Sequence, residues 1–243
     1  MGMLNNFSKS EKEPNLVHYK GKIGEFEYDP EIWEIRKRIC KEYLHFSPKK
    51  RIKSLELPKG VKSCEFMFSY CDLPQGFTLG DGFNTSDVEN MDSMFYNCRL
   101  SDDFNLGNKF DTSNVKDMGF MFSNCKLPDG FTLGNKFDTS NVENMRRMFD
   151  CCEFNKDFTL GDLFDTSNVE NMDSMFFYCS LPEGFNLGNK FDTSKVVNME
   201  HMFSNCKLPD GFILGDKFDV SNVKFMEGMF DCCDLSRTKY LQK

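Results

Sequence analysis

The chain has 243 residues, a formal net charge of −8 and 40% hydrophobic residues, which is enough length and apolar content for a sizeable folded core. The charge is uneven, since residues 1–60 hold 13 Lys and Arg against 9 Asp and Glu, whereas residues 61–243 hold 17 against 29. An acidic main body repels phosphate backbones, which argues against nucleic-acid binding by that part of the chain.

The first predicted element is a β-hairpin over residues 18–28, with its turn near Lys20-Gly21. Asp29-Pro30 is a typical N-cap and first helical position, so a helix is predicted to follow and to end near Leu44. Its apolar face comprises Ile32, Ile35, Ile39 and Tyr43. We interpret residues 1–56 as an N-terminal cap over the open end of a repeat array.

The rest of the chain repeats with a period of 27 residues, and the cysteines show it most clearly. They stand at Cys71, Cys98, Cys125, Cys152, Cys179, Cys206 and Cys233. Phe, Val and Met columns keep the same step, from Phe83 to Phe218, Val88 to Val223, Met91 to Met226, Met94 to Met229 and Phe95 to Phe230. A fixed period of this length is typical of a solenoid, in which neighbouring units bury one another. We predict the solenoid over residues 57–235 and a tail over residues 236–243.

One unit, residues 127–152, predicts the local structure. Phe131-Thr132-Leu133 alternates apolar and polar residues, as a short strand does. Apolar residues at helical spacing follow, at Val142, Met145, Phe149 and Cys152. This segment is predicted to be a short helix or a tight irregular turn. Asp138 and Ser140 are predicted to cap backbone N–H groups, with Ser140 and Glu143 as a capping box.

The segment Ile52–Cys71, with its Leu-Pro, Val and Met-Phe before Cys, resembles the repeat of BspA-type leucine-rich-repeat proteins. The later units, with Phe-Asp-Thr-Ser-Asn-Val and Met-Phe before Cys, resemble the variant of mycoplasma and Gram-positive surface proteins, a variant of unknown function. The resemblance covers residues 52–235 and implies a leucine-rich-repeat-like α/β solenoid, here with an α+β cap. It also implies a surface or adhesive role in some bacteria.

No run of 18 apolar residues predicts a transmembrane helix, and the N-terminal residues lack the apolar core of a signal peptide. Eleven cysteines without such a signal favour a reducing cytoplasm. Location at the cell surface, or secretion by a non-standard route, is the alternative.

The sequence does not predict an active site. The periodic cysteines lie on the apolar face and are expected to be buried thiols, whereas Cys151 and Cys232 leave that column and are expected to be more exposed. The Asp111, Asp138, Asp165, Asp192 and Asp219 column is expected to cap backbone groups rather than bind calcium. The three His match no nucleophile motif. We therefore expect no enzyme activity, no metal and no cofactor.

The outward positions of the predicted helical segments vary between units, and aromatic and Arg residues there are typical of protein interfaces. The candidate partner-binding residues are Phe120, Arg146, Arg147, Phe177, Tyr178 and His201. The predicted function is a non-catalytic scaffold for a protein or peptide partner, with a surface adhesin as the alternative. A second alternative is a carbohydrate or small-molecule binder on the Thr and Asn row from Thr78 to Asn186. Weak self-association through the C-terminal end is also expected.

Overall fold

The structure is a computed structural model that describes residues 7–9, 17–21, 24–28 and 55–235. Strands β1 (Phe7–Lys9), β2 (Val17–Gly21) and β3 (Gly24–Tyr28) form one antiparallel sheet in the order β1-β2-β3. β2 and β3 are the predicted hairpin, with Gly21 opposite Gly24, so Lys20 and Gly21 belong to β2 and not to the turn predicted there. The helix predicted from Asp29 to Leu44 and the tail over residues 236–243 lie outside the described residues.

Residues 55–235 contain turns and single parallel bridges and neither a helix nor a strand. Every bridge joins two residues that are 27 positions apart, so each unit lies against the next one in register. One row of bridges connects Ser63, Asn90, Asp117, Asn144, Asn171, Asn198 and Phe225. A second row connects Asp72, Arg99, Lys126, Glu153, Ser180 and Lys207.

The segment predicted as a strand has the side-chain alternation of a strand but not its pairing. Phe131 and Leu133 are buried and Thr132 is exposed, as the sequence pattern indicates. The Phe131 N–H, however, donates to the Pro128 carbonyl at 3.0 Å and closes a turn within its own unit. The units pair through their backbones at the two rows of bridges, which pass through Lys126 before this segment and Asn144 after it.

The segment predicted as a helix or a tight turn is a series of overlapping turns. In one unit the N–H groups of Met94, Tyr96 and Cys98 donate to the carbonyls three residues earlier. Within the same stretch, Ser93 and Asn97 have left-handed φ angles of 55° and 51°, which a right-handed helix does not contain. Of the two structures that the sequence left open, the turn is therefore the one observed.

A row of backbone hydrogen bonds joins these turns to the following unit, and all of its bonds point the same way. Met91, Ser93, Phe95 and Asn97 each donate to a carbonyl 26 residues later, at 2.7–2.9 Å. The same four positions donate forward in every unit from Cys64 to Asn205, at 2.7–3.1 Å. Their peptide dipoles are therefore aligned along the stack of units, with free N–H groups expected at its C-terminal end.

The apolar columns form one continuous core over the described units. The Phe, Val, Met and Cys columns are buried in the units before the last one, which confirms the prediction for them. Ring centroids of consecutive members of one column lie 5.2–5.9 Å apart with interplanar angles of 1–10°, through Phe68, Phe95, Phe122, Phe149, Phe176, Phe203 and Phe230. Such offset stacking lets each ring cover the next one.

A buried Thr column provides the polar connection between units. The Thr139 hydroxyl donates to the Asp165 carbonyl at 2.7 Å and accepts from the Asp165 N–H at 2.8 Å. Asp138 accepts from the Ser140 N–H at 2.9 Å, so the prediction that the Asp column caps backbone groups is confirmed. The predicted capping box is wrong at this unit, because Asp138 and not Glu143 takes the Ser140 N–H.

Candidate functional site

The predicted partner-binding residues lie on one side of the stacked units, at positions that the turns direct outward. With two further tyrosines they form what we call the aromatic surface: Tyr70, Tyr96, Phe120, Arg146, Arg147, Phe177, Tyr178 and His201. Five of these residues, Tyr70, Phe120, Arg147, Tyr178 and His201, have left-handed backbone conformations with φ between 53° and 60°. The turns that position these side chains are therefore the same turns that stack the units.

The left-handed conformation disfavours bulky side chains by about 1–2 kcal/mol per residue, whereas Asn and Gly adopt it readily. At the repeat positions equivalent to Tyr178 the chain has Asn97, Asn124 and Asn205. At those equivalent to Phe120 it has small residues at Ser93, Ser174 and Gly228 and large ones at Phe66, Arg147 and His201. The aromatic surface thus holds large side chains where other units of the same chain hold small polar ones.

Four neighbouring units place their outward side chains in direct contact. The Tyr70 and Tyr96 rings lie 5.2 Å apart, and the Tyr96 and Phe120 rings lie 6.2 Å apart, both edge to face. The guanidinium carbons of Arg146 and Arg147 lie 5.5 and 5.7 Å from the Phe120 ring centre. A hydrogen bond with Tyr70 raises the pKa of Tyr96. The result is a continuous run of aromatic and cationic groups.

Tyr70 and Tyr96 belong to this run although the sequence analysis did not select them. Tyr96 occupies the same repeat position as Phe177, and Tyr70 the same position as Tyr178. The sequence contains the information needed to identify both tyrosines. It appears when the columns of Phe177 and Tyr178 are compared over all units, in addition to the columns of Arg146 and Arg147.

Acidic side chains hold the two arginines in place. Arg146 Nε lies 2.7 Å from the Asp173 carboxylate, and Arg147 Nη1 lies 3.7 Å from that of Asp150. The pKa of Asp92 is raised to about 6, mainly by burial; the hydrogen bond with Ser93 and the Arg146 charge oppose the shift, and the Asp117 charge adds to it. The arginine charges are therefore partly balanced. The Asp173 carboxylate orients the Arg146 guanidinium by a hydrogen bond, whereas the buried Arg147 Nε has no hydrogen-bond partner.

The remaining predicted residues form a second group. The Phe177 and Tyr178 rings are neighbours at 6.2 Å, and the Tyr178 side chain is 65% exposed. The Phe177 carbonyl accepts from the Cys151 N–H at 2.8 Å, which ties this group to the unit that carries the arginines. His201 is exposed and fills the space that a Cβ at Gly228 would need. The structure thus divides the six predicted residues between two groups on one side.

The thiols agree with their expected burial except at Cys233. Six members of the periodic column are buried and Cys233 is half-buried, whereas Cys151 is half-buried and Cys232 is exposed. Burial raises the pKa of Cys125 to about 12 and that of Cys151 to about 11. The cysteines of residues 55–235 are thiols, and that range contains no group of three or more His, Cys, Asp or Glu side chains that could hold a metal ion. None of the described segments forms a helix long and apolar enough to cross a membrane.

Stacked 27-residue units with an outward aromatic surface define a tandem-repeat protein. The family model of the Mycoplasma protein of unknown function, DUF285, matches residues 62–186 and 181–237. The chain belongs to this family, whose model covers most of its length. No curated protein and no solved structure matches the chain.

Proposed function

We propose that the chain is a non-catalytic protein-binding scaffold, built on a BspA-type leucine-rich-repeat-like solenoid, and that the aromatic surface contacts the partner. One observation carries the proposal. Phe120, Arg147 and Tyr178 occupy left-handed positions at which several other units have Ser, Asn or Gly, as at Ser93, Asn124 and Gly228. A residue type that lowers stability in a sequence otherwise adapted to its turns is typical of a functional position.

The contacts of the surface support binding to a protein rather than catalysis. Aromatic and Arg side chains dominate the binding energy of many protein interfaces. The aromatic ones bury a large area with few rotatable bonds, and the planar guanidinium of Arg forms several directed hydrogen bonds. Phe120 is fixed by the Tyr96 ring on one side and by the two guanidinium groups on the other. Preordered side chains lose little entropy on binding, so a flat surface of this kind suits a folded or a peptide partner.

The backbone beneath the surface supports a scaffold role as well. The outward residues belong to turns whose N–H groups donate to the following unit at 2.7–3.1 Å. Such a backbone holds the positions of Phe120, Arg147 and Tyr178 fixed relative to one another. A partner that contacts both groups of the surface then meets one rigid pattern.

The proposed location is the cytoplasm, and a surface adhesin is the alternative that the family resemblance implies. Treatment of intact host cells with a protease that cannot enter them separates the two. A protein that is degraded under these conditions lies on the cell exterior, which would reject the cytoplasmic location.

The exposed Thr and Asn row, including Thr132, is the alternative site for a carbohydrate.

The test uses a variant that replaces two bulky residues with those of equivalent units, Phe120→Ser with Tyr178→Asn. The control is Thr132→Lys, which changes an exposed residue on the Thr and Asn row. Each tagged protein is used to capture partners from native host extract, and a captured protein is then purified and titrated. We expect the double variant to bind at least about 30-fold more weakly and the control to bind like wild type.

The stability of the same variants is part of the test. The double variant loses ring contacts, and only Tyr178→Asn introduces a residue type that favours the left-handed conformation, so its free energy of unfolding should fall by no more than about 2 kcal/mol. Equal binding by wild type and the double variant would reject the aromatic surface. Loss of binding in Thr132→Lys alone, with a glycan as ligand, would favour the carbohydrate alternative.

A further inference from the structure

The last described unit, residues 208–235, differs from the others at positions where they are polar. Val220 stands where five preceding units have a buried Thr, and Phe225 stands where they have Ser, Asn or Asp. Ile213 likewise replaces Thr or Asn. Val220 and Phe225 are 45% and 52% exposed, and Met226 is 48% exposed although the equivalent Met residues of earlier units are fully buried.

The same unit presents unpaired backbone donors beside these apolar side chains. In each earlier unit four alternate N–H groups donate to the following unit. The equivalent groups here are those of Met226, Gly228, Phe230 and Cys232, and none of them has an acceptor within residues 55–235. We call these four residues with Val220 and Phe225 the end edge. It combines a row of donors with exposed apolar surface, and both features favour a partner that covers it.

The direction of the bonds determines what can cover the end edge. The edge presents donors, so its occupant must present backbone carbonyls at alternate residues. Two copies of the end edge would place donors against donors, which argues against a symmetric pair.

Charge and side chains define the occupant further. Residues 208–235 contain six acidic and two basic residues, and Asp219, Glu227 and Asp231 belong to the stretch that carries the end edge. A regular next unit would present an Asp N–H to a Thr hydroxyl, as Asp219 does to Thr193 at 2.7 Å, and Val220 cannot accept that bond. An occupant with basic side chains and apolar side chains at alternate positions satisfies both conditions.

We propose that the end edge is a second docking site, which binds a basic polypeptide segment of a partner protein by backbone pairing. The carbonyls of the segment accept from the four donors, its apolar side chains cover Val220, Phe225 and Met226, and its cationic side chains face the acidic unit. The site adjoins His201 of the aromatic surface, but it uses the backbone donors and apolar side chains of the last described unit. Its occupation does not depend on the function proposed for the aromatic surface.

The probe is the peptide acetyl-Lys-Val-Lys-Val-Lys-Val-Lys-amide, and the control peptide has Glu in place of Lys. We expect the basic peptide to bind the full chain in a saturable manner and more weakly at about 0.5 M salt, since exposed charges are then screened. Amide exchange of Met226, Gly228, Phe230 and Cys232 should slow by at least about tenfold at saturation. The acidic peptide should produce neither effect.

The variant Val220→Thr with Phe225→Asn introduces the residues of earlier units and should weaken peptide binding by at least about tenfold. Phe120→Ser with Tyr178→Asn should leave peptide binding unchanged. The outcome of this test is therefore independent of the outcome of the test for the proposed function. Slow exchange of the four amides in the free monomer would show that the chain's own residues cover the edge. Slow exchange that appears only at high protein concentration would show self-association. Either result, or equal binding of the acidic peptide, would overturn the proposal.

Discussion

The Thr column permits the sharpest test of how the units are joined. Thr139 is fully buried, and its hydroxyl both donates to the Asp165 carbonyl and accepts from the Asp165 N–H, at 2.7 and 2.8 Å. The substitution Thr139→Val keeps the shape and removes both bonds. One backbone donor and one backbone acceptor of Asp165 then lose their partner inside a half-buried contact.

The expected magnitude follows from these two groups. A buried polar group without a partner destabilises a protein by about 1–3 kcal/mol. Because Asp165 is only half-buried, the lower part of that range applies to each group. The free energy of unfolding should therefore fall by about 2–4 kcal/mol. Neither strain nor a cavity adds to this value, since Val and Thr have nearly the same shape.

Urea unfolding followed by circular dichroism measures the change, with the midpoint and the slope recorded separately. The matched control is Val220→Thr, which introduces the hydroxyl in the last described unit, where no described residue of a following unit accepts it. That variant should change stability by less than about 0.5 kcal/mol. Equal effects of the two substitutions, or no loss in Thr139→Val, would refute the role assigned to the Thr column.

Two further predictions concern titratable groups. Burial raises the pKa of Asp92 from 3.8 to about 6, so between these values the folded chain holds a proton that the unfolded chain has released, and stability falls as pH rises through this window. Asp92→Asn should remove that fall in unfolding experiments from pH 4 to 7, whereas Asp103→Asn should not, because hydrogen bonds from Ser101 and Gly76 lower the pKa of Asp103. Iodoacetamide at pH 8 should label exposed Cys232 first, half-buried Cys151 more slowly and Cys125 only after unfolding. Mass spectrometry measures the labelling, and rapid labelling of Cys125 in the native protein would contradict the burial of its column.

The burial pattern could be predicted from the sequence, and the backbone could not. Val142, Met145 and Phe149 are all buried, as their spacing predicts. The same spacing fits a helix or a series of turns with bonds between residues three apart, since both return side chains to one face. Arg147, in the same segment, has a φ of 53°, and hydrophobic spacing carries no information about that angle. The left-handed φ angles, and not the spacing of apolar residues, distinguish the series of turns from a helix.

The candidate site was predicted in part because the sequence comparison followed only some of its columns. Phe120 and Arg147 differ from the small residues of equivalent units, and that contrast is visible in the sequence. Tyr96 contributes from a neighbouring column, and its contact with Phe120 depends on how the turns project the two rings. The contact becomes predictable only after the overlapping turns are known.

The aromatic surface and the end edge arise from the same property of the backbone. Because each described unit before the last one donates four bonds forward, the interior units satisfy one another with backbone atoms and leave their outward side chains free to vary. Variation there affects stability mainly through the left-handed positions of residues such as Phe120. The last described unit accepts bonds from its predecessor, but its own four donors find no acceptor among the described residues. In the last described unit, no described residue of a following unit needs a polar partner at positions 220 and 225. Val220 and Phe225 occupy these positions, and they lie beside backbone donors that have no acceptor among the described residues.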